Sequence, residues 1–165
     1  VAVAGAGALS LLAWFQGLSV TGAAAPATWV SSPREPRWTA SIKSVVQGRF
    51  NVAESTGDIS HGSASWTRGD VATLSRVVVT LSYSGSERSL GWAIVVGSCG
   101  SASMPLLPVS GFPELEVLGG GRVFGNATLA IDFPTVGTFH IDIYGNRQGG
   151  MESPIGCGDL KYVGR

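Results

Sequence analysis

Two imidazoles, His61 and His140, and two thiols, Cys99 and Cys157, are the only side chains of those kinds in 165 residues. His140 stands two positions before Asp142 in the run Phe139-His140-Ile141-Asp142-Ile143. Side chains two apart on a strand share a face. His140 and Asp142 are therefore expected as a surface pair on the polar side, opposite Phe139, Ile141 and Ile143. A His/Asp pair could ligate a metal, but a catalytic metal site normally takes three protein ligands. His61 falls in the Gly/Ser-rich run Ser55–Gly62 with Asp58, where the expectation is a solvated turn. His140, Asp142, His61 and Asp58 are thus weak metal candidates, and no metal or other cofactor is expected. Neither cysteine has a neighbouring His or basic group that would make it a thiolate nucleophile. No Ser/His/Asp set or buried carboxylate pair can be assembled, so no catalytic residue is assigned. Gly119-Gly120-Gly121 opens no helix and is not expected to cradle phosphate. Asn126-Ala127-Thr128 is a glycosylation acceptor only in a eukaryotic secretory setting.

The charge balance narrows the partners. Lys plus Arg number 11 and Asp plus Glu 11, for a net charge of zero with 13 % charged residues. Nucleic acid is excluded by the missing basic footprint, and no basic cluster would hold an anionic lipid surface. Gly is frequent at 24 residues, which with abundant Ser, Thr and Val suits short strands and tight turns. Cys99 and Cys157 are an even pair behind an export-type N-terminus, which favours one disulfide in an oxidising compartment. Two buried free thiols are the alternative. Closing a loop of that length contributes roughly 4 kcal/mol in the chain-entropy model.

The elements that must position these groups begin after an unusual first stretch. No charged side chain precedes Arg34, and Val1 to Ala25 is apolar or small except for Ser10, Gln16, Ser19 and Thr21. Ala23-Ala24-Ala25 could supply a signal-peptidase site, but the run lacks a basic leading region and is long for a signal core. About 25 residues at 1.5 Å rise span roughly 37 Å, more than the hydrocarbon thickness of about 30 Å. A transmembrane helix over 1–25 is the favoured expectation, with a signal segment as the alternative. Gly5 and Gly7 among alanines form a small-residue surface that admits a neighbouring helix, and Leu11, Leu12, Trp14 and Phe15 complete the expected membrane or partner contact. Residues 26–38, holding Pro26, Pro33 and Pro36, read as an extended, semi-rigid linker.

Residues 39–165 read as a domain of seven or eight short strands. Thr39 to Val46 alternates loosely, and Gly48 to Ala53 continues it after a bend. Ser63 to Trp66 is a short strand. In Val71 to Ser84, Val77, Val79, Leu81 and Tyr83 alternate with Arg76, Val78, Thr80 and Ser82, the clearest strand signal in the chain. Leu90, Trp92, Ile94 and Val96 share one face of the next strand, and a loop over 97–113 follows. Leu115–Leu118, Arg122–Phe133, a half-buried strand at Phe139, Ile141 and Ile143, and Ile155–Val163 complete the set. No soluble helix is predicted. The fold class expected is all-β, an antiparallel Greek-key sandwich or flattened barrel.

Two stretches carry a family resemblance. Leu90-Gly91-Trp92-Ala93-Ile94-Val95 followed by Gly97-Ser98-Cys99-Gly100 resembles the Gly-Phe-His-Val-His strand and Gly-Asp-Cys loop of the copper/zinc superoxide dismutases. Ser153-Pro154-Ile155-Gly156-Cys157-Gly158-Asp159 is similar to that family's closing Ser-Arg-Leu-Ala-Cys-Gly segment. The resemblance covers roughly Val71 to Leu160 and implies the dismutase sandwich, with Cys99 and Cys157 bridged to tie the long loop to the last strand. The family's two metal-binding histidines on that first strand would fall at Ala93 and Val95, which cannot ligate. No histidine follows Cys99 in the loop, and His140 does not match a ligand position. A copper site needs imidazoles, so dismutase activity is not implied.

The expectation for function follows. The chain reads as a non-catalytic structural or accessory subunit of a bacterial membrane complex, single-pass in the inner membrane with its main domain in the periplasm. Its partners would be integral membrane subunits and the lipid bilayer, a photosynthetic reaction-centre–light-harvesting assembly being one such setting. The alternatives are a secreted or periplasmic metal-binding, dismutase-like enzyme and a free binding module released by signal cleavage.

Overall fold

Residues 35–45, 58–145 and 153–164 are described by the structure, a computed structural model. They form eight strands: β1 (Arg37–Ser44), β2 (Ile59–Arg68), β3 (Ser75–Tyr83), β4 (Ser89–Val96), β5 (Leu115–Leu118), β6 (Arg122–Leu129), β7 (Phe139–Tyr144) and β8 (Gly156–Val163). Every pairing is antiparallel, and the strands close into a barrel in the order β1-β2-β3-β6-β5-β4-β7-β8. Among the described residues, helix is limited to two three-residue 3-10 turns, Val109–Gly111 and Gly119–Gly121.

The barrel follows from the period-two pattern. Trp38, Ala40 and Ile42 of β1 face Trp66, Ala64 and Gly62 of β2 in register, and those face Val77, Val79 and Leu81 of β3. The same inner row continues through Ala127, Gly125 and Val123 of β6. A Cβ at Gly125 would run into the Leu115 side chain, so the glycine makes room for β5's largest core residue. One end is filled by aromatic side chains. Phe139 stands edge-on to Trp38 at 5.3 Å and to Trp66 at 5.5 Å, and Trp38 Nε1 donates to Pro134 O at 2.8 Å. Such edge-to-face contacts add to the area term.

Several boundaries differ from the sequence expectation. β2 begins at Ile59, so the end of the 55–62 run is strand and not turn, with a register irregularity between Ile59 and His61. Its outward residues there are Ser and His, whose polarity imitates a loop. Val71 lies outside β3, in a turn closed by Leu74 N–H to Val71 O and Gly69 N–H to Leu74 O. β6 stops at Leu129, four residues short of Phe133. Val96 is exposed at the end of β4, while Leu90, Trp92 and Ile94 are core. β7, expected to be half-buried, is buried at all six positions, and β4 is buried on both faces from Leu90 to Val95. Gly48–Ala53 and the whole of 1–25, including Gly5, Gly7, Leu11, Leu12, Trp14 and Phe15, lie outside the described residues. Among those that are described, no helix is long and apolar enough to cross a membrane.

A strand buried on both faces needs cover on each. The inner face of β4 and β7 is the barrel core. The outer face is where the chain's chemistry collects.

Candidate functional site: the covered outer face of β4, β7 and β8

Strand register assembles this face in two rows. Ala93 of β4 pairs with Asp142 of β7, Asp142 with Cys157 of β8, and Cys157 with Lys43 of β1. The neighbouring row runs Val95, His140, Asp159. Tyr144 extends the β7 line beyond Asp142, opposite Gly91. In-register side chains on adjacent strands stand within reach of one another, so His140, Asp142, Tyr144 and Cys157 form one cluster.

The loop between β4 and β5 closes over it. Cys99 is disulfide-bonded to Cys157 with Cα atoms 5.9 Å apart, as expected. The Cys99 backbone N–H also donates to Asp159 Oδ1 at 2.8 Å. Gly97, at φ +95°, turns the chain sharply in a conformation side chains other than glycine rarely adopt, and its carbonyl lies 2.9 Å from His140 Nδ1. Further on, Leu106 N–H donates to Ile94 O, and Pro105 bridges Val95. The loop ends in a plug: Phe112 is fully buried, stands edge-on to Trp92 at 5.1 Å, and is followed by Pro113, whose carbonyl accepts from Trp92 Nε1 at 2.6 Å.

The surface pair expected of His140 and Asp142 is therefore a buried one. His140 is 0 % exposed and Asp142 8 %. The two do share one face, as period-two alternation requires, but that face is covered and not solvated. Gly97 O can only accept, so His140 Nδ1 carries a proton and donates to it. A neutral His140 then presents the lone pair of Nε2, and Nε2 lies 3.5 Å from Asp142 Oδ2. Tyr144 donates its hydroxyl to the same oxygen at 3.2 Å. Among the described residues, His140 Nε2 and Asp142 Oδ1 are buried without a hydrogen-bond partner.

Burial pushes the Asp142 carboxyl above its ordinary range, and the attraction of His140 and the hydrogen bond from Tyr144 offset this only in part. Tyr144 is raised too, first by burial and then by the neighbouring Asp142 charge. An imidazole lone pair facing a buried carboxylate is two acceptors with nothing between them. Such an arrangement is satisfied by a positive charge placed between the two groups. His140, Asp142 and Cys157 also bring one possible ligand atom each to within 4.8 Å of one another. Sequence spacing missed Cys157 as a member, because only the β7–β8 register places it beside Asp142.

The remaining candidates lie elsewhere. His61 sits on the exposed outer side of β2, with Nε2 3.0 Å from Ser82 Oγ and Nδ1 3.2 Å from Ser60 Oγ. It borders a shallow cleft with Thr80, Arg122 and Phe124. Asp58 is exposed at the start of β2, its backbone N–H donating to Ser84 Oγ. Gly119–Gly121 forms the tight β5–β6 turn. Ala93 and Val95 are buried in the outer rows beside Asp142 and His140. Where the dismutase resemblance would put imidazoles, these two offer only hydrocarbon, and the residues present do not fit an imidazole-rich copper site.

Comparison with protein families, with curated proteins and with solved structures finds no match for this chain.

Proposed function

We propose that the chain is a non-catalytic accessory subunit of a bacterial membrane complex, built on a dismutase-like Greek-key barrel that has lost its copper/zinc chemistry. One observation carries the loss of chemistry: the paired positions Ala93–Asp142 and Val95–His140 lie closed beneath a disulfide-tied loop. Two hydrocarbon side chains stand there beside a fully buried imidazole, so a substrate would meet neither an open metal position nor an accessible base. The strand order β1-β2-β3-β6-β5-β4-β7-β8 supports the Greek-key assignment. The placement of the Cys99–Cys157 bridge between the long loop and the last strand supports the dismutase likeness. The membrane part rests on the uncharged first 33 residues, whose small-residue surface suits helix–helix contact in a bilayer, with a photosynthetic assembly as one setting.

The test is isolation of the full chain in air from membranes of its own host. The expected result is resistance to alkaline washing, co-purification with integral membrane subunits, no stoichiometric copper and no superoxide dismutation. Copper at one equivalent with dismutase activity would overturn the non-catalytic assignment. Release by alkali would overturn the membrane anchor.

A further inference from the structure

The His140–Asp142–Cys157 cluster has a property that a purely structural core would not need. Two of its buried polar atoms, His140 Nε2 and Asp142 Oδ1, have no hydrogen-bond partner among the described residues. His140 is fully buried, and its Nδ1–H to Gly97 O bond fixes the tautomer that leaves Nε2 free to ligate. A backbone carbonyl on the far nitrogen is the usual outer-shell partner of a metal-bound histidine. One member of the group is held back only by a covalent bond: Cys157 Sγ is spent in the disulfide to Cys99.

We propose that the Cys99–Cys157 disulfide masks a zinc-class metal site, and that reduction creates it from His140 Nε2, an Asp142 carboxylate oxygen and Cys157 Sγ. The donor set suits a borderline-soft divalent ion, since thiolate, imidazole and carboxylate are the three ligand types zinc takes from protein. Charge balances: one thiolate and one carboxylate neutralise a dication, with the imidazole neutral. Geometry is near. One possible ligand atom from each residue, an imidazole nitrogen in the case of His140, lies within 4.8 Å of the others, whereas bonds of about 2.0 to 2.3 Å in a tetrahedron place them about 3.3 to 3.8 Å apart. An inward adjustment of about 1 Å by side chains completes the shell, with water in the fourth position.

The chemistry needs a thiol reductant and is otherwise closed. Two equivalents of a small thiol break the S–S bond; they leave as their own disulfide, and their two protons pass to the Cys99 and Cys157 sulfurs. Binding the dication then releases to solvent the Cys157 thiol proton and any proton the His140–Asp142 pair carries. The same cut opens the route in. Cys99 is exposed on the loop, and once unbridged that loop is tied near the site by the Cys99 N–H to Asp159 bond and by Gly97 O on His140.

Cobalt(II) is the probe, because thiolate ligation gives it a charge-transfer band in the near ultraviolet that carboxylate or imidazole ligation alone does not. Cys99→Ser in the full chain frees Cys157 without any reductant. We expect this variant to bind one cobalt(II), displaceable by zinc, and the air-oxidised wild type to bind none. Adding His140→Ala or Asp142→Asn to Cys99→Ser should weaken binding by roughly tenfold or more, and His61→Ala should leave it unchanged. Should Cys99→Ser fail to fold, wild type reduced with a phosphine gives the same reading. Absence of the band in reduced wild type overturns the proposal, as does binding that survives both His140→Ala and Asp142→Asn, which would mark an adventitious thiol site. None of these outcomes bears on the accessory-subunit assignment, which the air-isolated protein tests.

Discussion

His140 and Asp142 show how a residue pair changes character when its face is covered. On an open strand a His/Asp pair at this spacing is solvated and contributes little. Here Asp142 is held as the acid more strongly in the fold than in the unfolded chain, because burial outweighs the help from His140 and Tyr144. The sign follows directly. Between the ordinary carboxyl value of 3.8 and the higher folded value, the native state binds more protons than the unfolded one, so stability falls as pH rises through that window. Asn at 142 removes the titration, and an amide NH2 in the place of Oδ2 can donate both to His140 Nε2 and to the Tyr144 hydroxyl oxygen, which lie about that one position. We therefore expect Asp142→Asn, in the disulfide-bonded protein with chelator present, to be more stable than wild type above the window by on the order of 1 kcal/mol. The difference should vanish toward pH 3. Urea unfolding across pH measures it. A variant that is less stable than wild type at pH 8 would show that the carboxylate, and not its proton, is what the fold uses.

At the scale of elements, the loop over 97–113 acts as a wall of the barrel. It is pinned at one end by Cys99 to β8, in the middle by Pro105 and Leu106 to β4, and at the other by Phe112 against Trp92. β5 pairs with β4 only at Ser89–Glu116 and Leu90–Leu115, so the loop continues a seam that strand pairing leaves short. Phe112→Ala should cost about 3–5 kcal/mol in urea unfolding, with amide exchange accelerated first at Leu106 and in the plug. A loss under about 1 kcal/mol would mean the seam is closed by strand pairing alone. The strands themselves were largely legible, because Val77 to Tyr83 and Phe139 to Ile143 alternate cleanly. β2's start was not, since Ser60, His61 and Gly62 have the composition of a turn and become strand only by pairing with β3. The site was legible only as a His140/Asp142 pair. That its face is buried, and that Cys157 belongs to it, depend on a loop returning over β4 and on β7–β8 register, and neither leaves a local signature.

For the whole molecule, closure has a consequence for how a partner can bind. β1 pairs with β8, and all eight strands lie between Arg37 and Val163. Among the described residues each strand has a neighbour on both sides, with the short β4–β5 seam continued by the loop, so strand addition is disfavoured as a way for a partner to join. A partner then uses an outer face, a loop, or the apolar stretch ahead of the barrel. Among the described residues, the buried hydrophobic core runs from Trp38 to Leu160, inside the strand-bearing region. A chain beginning near Thr28 is therefore expected to fold with an unfolding midpoint close to that of the full chain, to keep the Cys99–Cys157 bridge, and to leave the membrane fraction for the aqueous one. Sedimentation after cell breakage, with thermal unfolding of the recovered protein, reads both halves of that expectation. If the shortened chain stays with the membranes, the anchoring surface is on the barrel. The outer side of β2, β3, β5 and β6, where Phe124 and Leu118 stand exposed beside Arg122 and His61, is then the first place to substitute. If it does not fold, the first 27 residues contribute to the core in a way that barrel closure does not require.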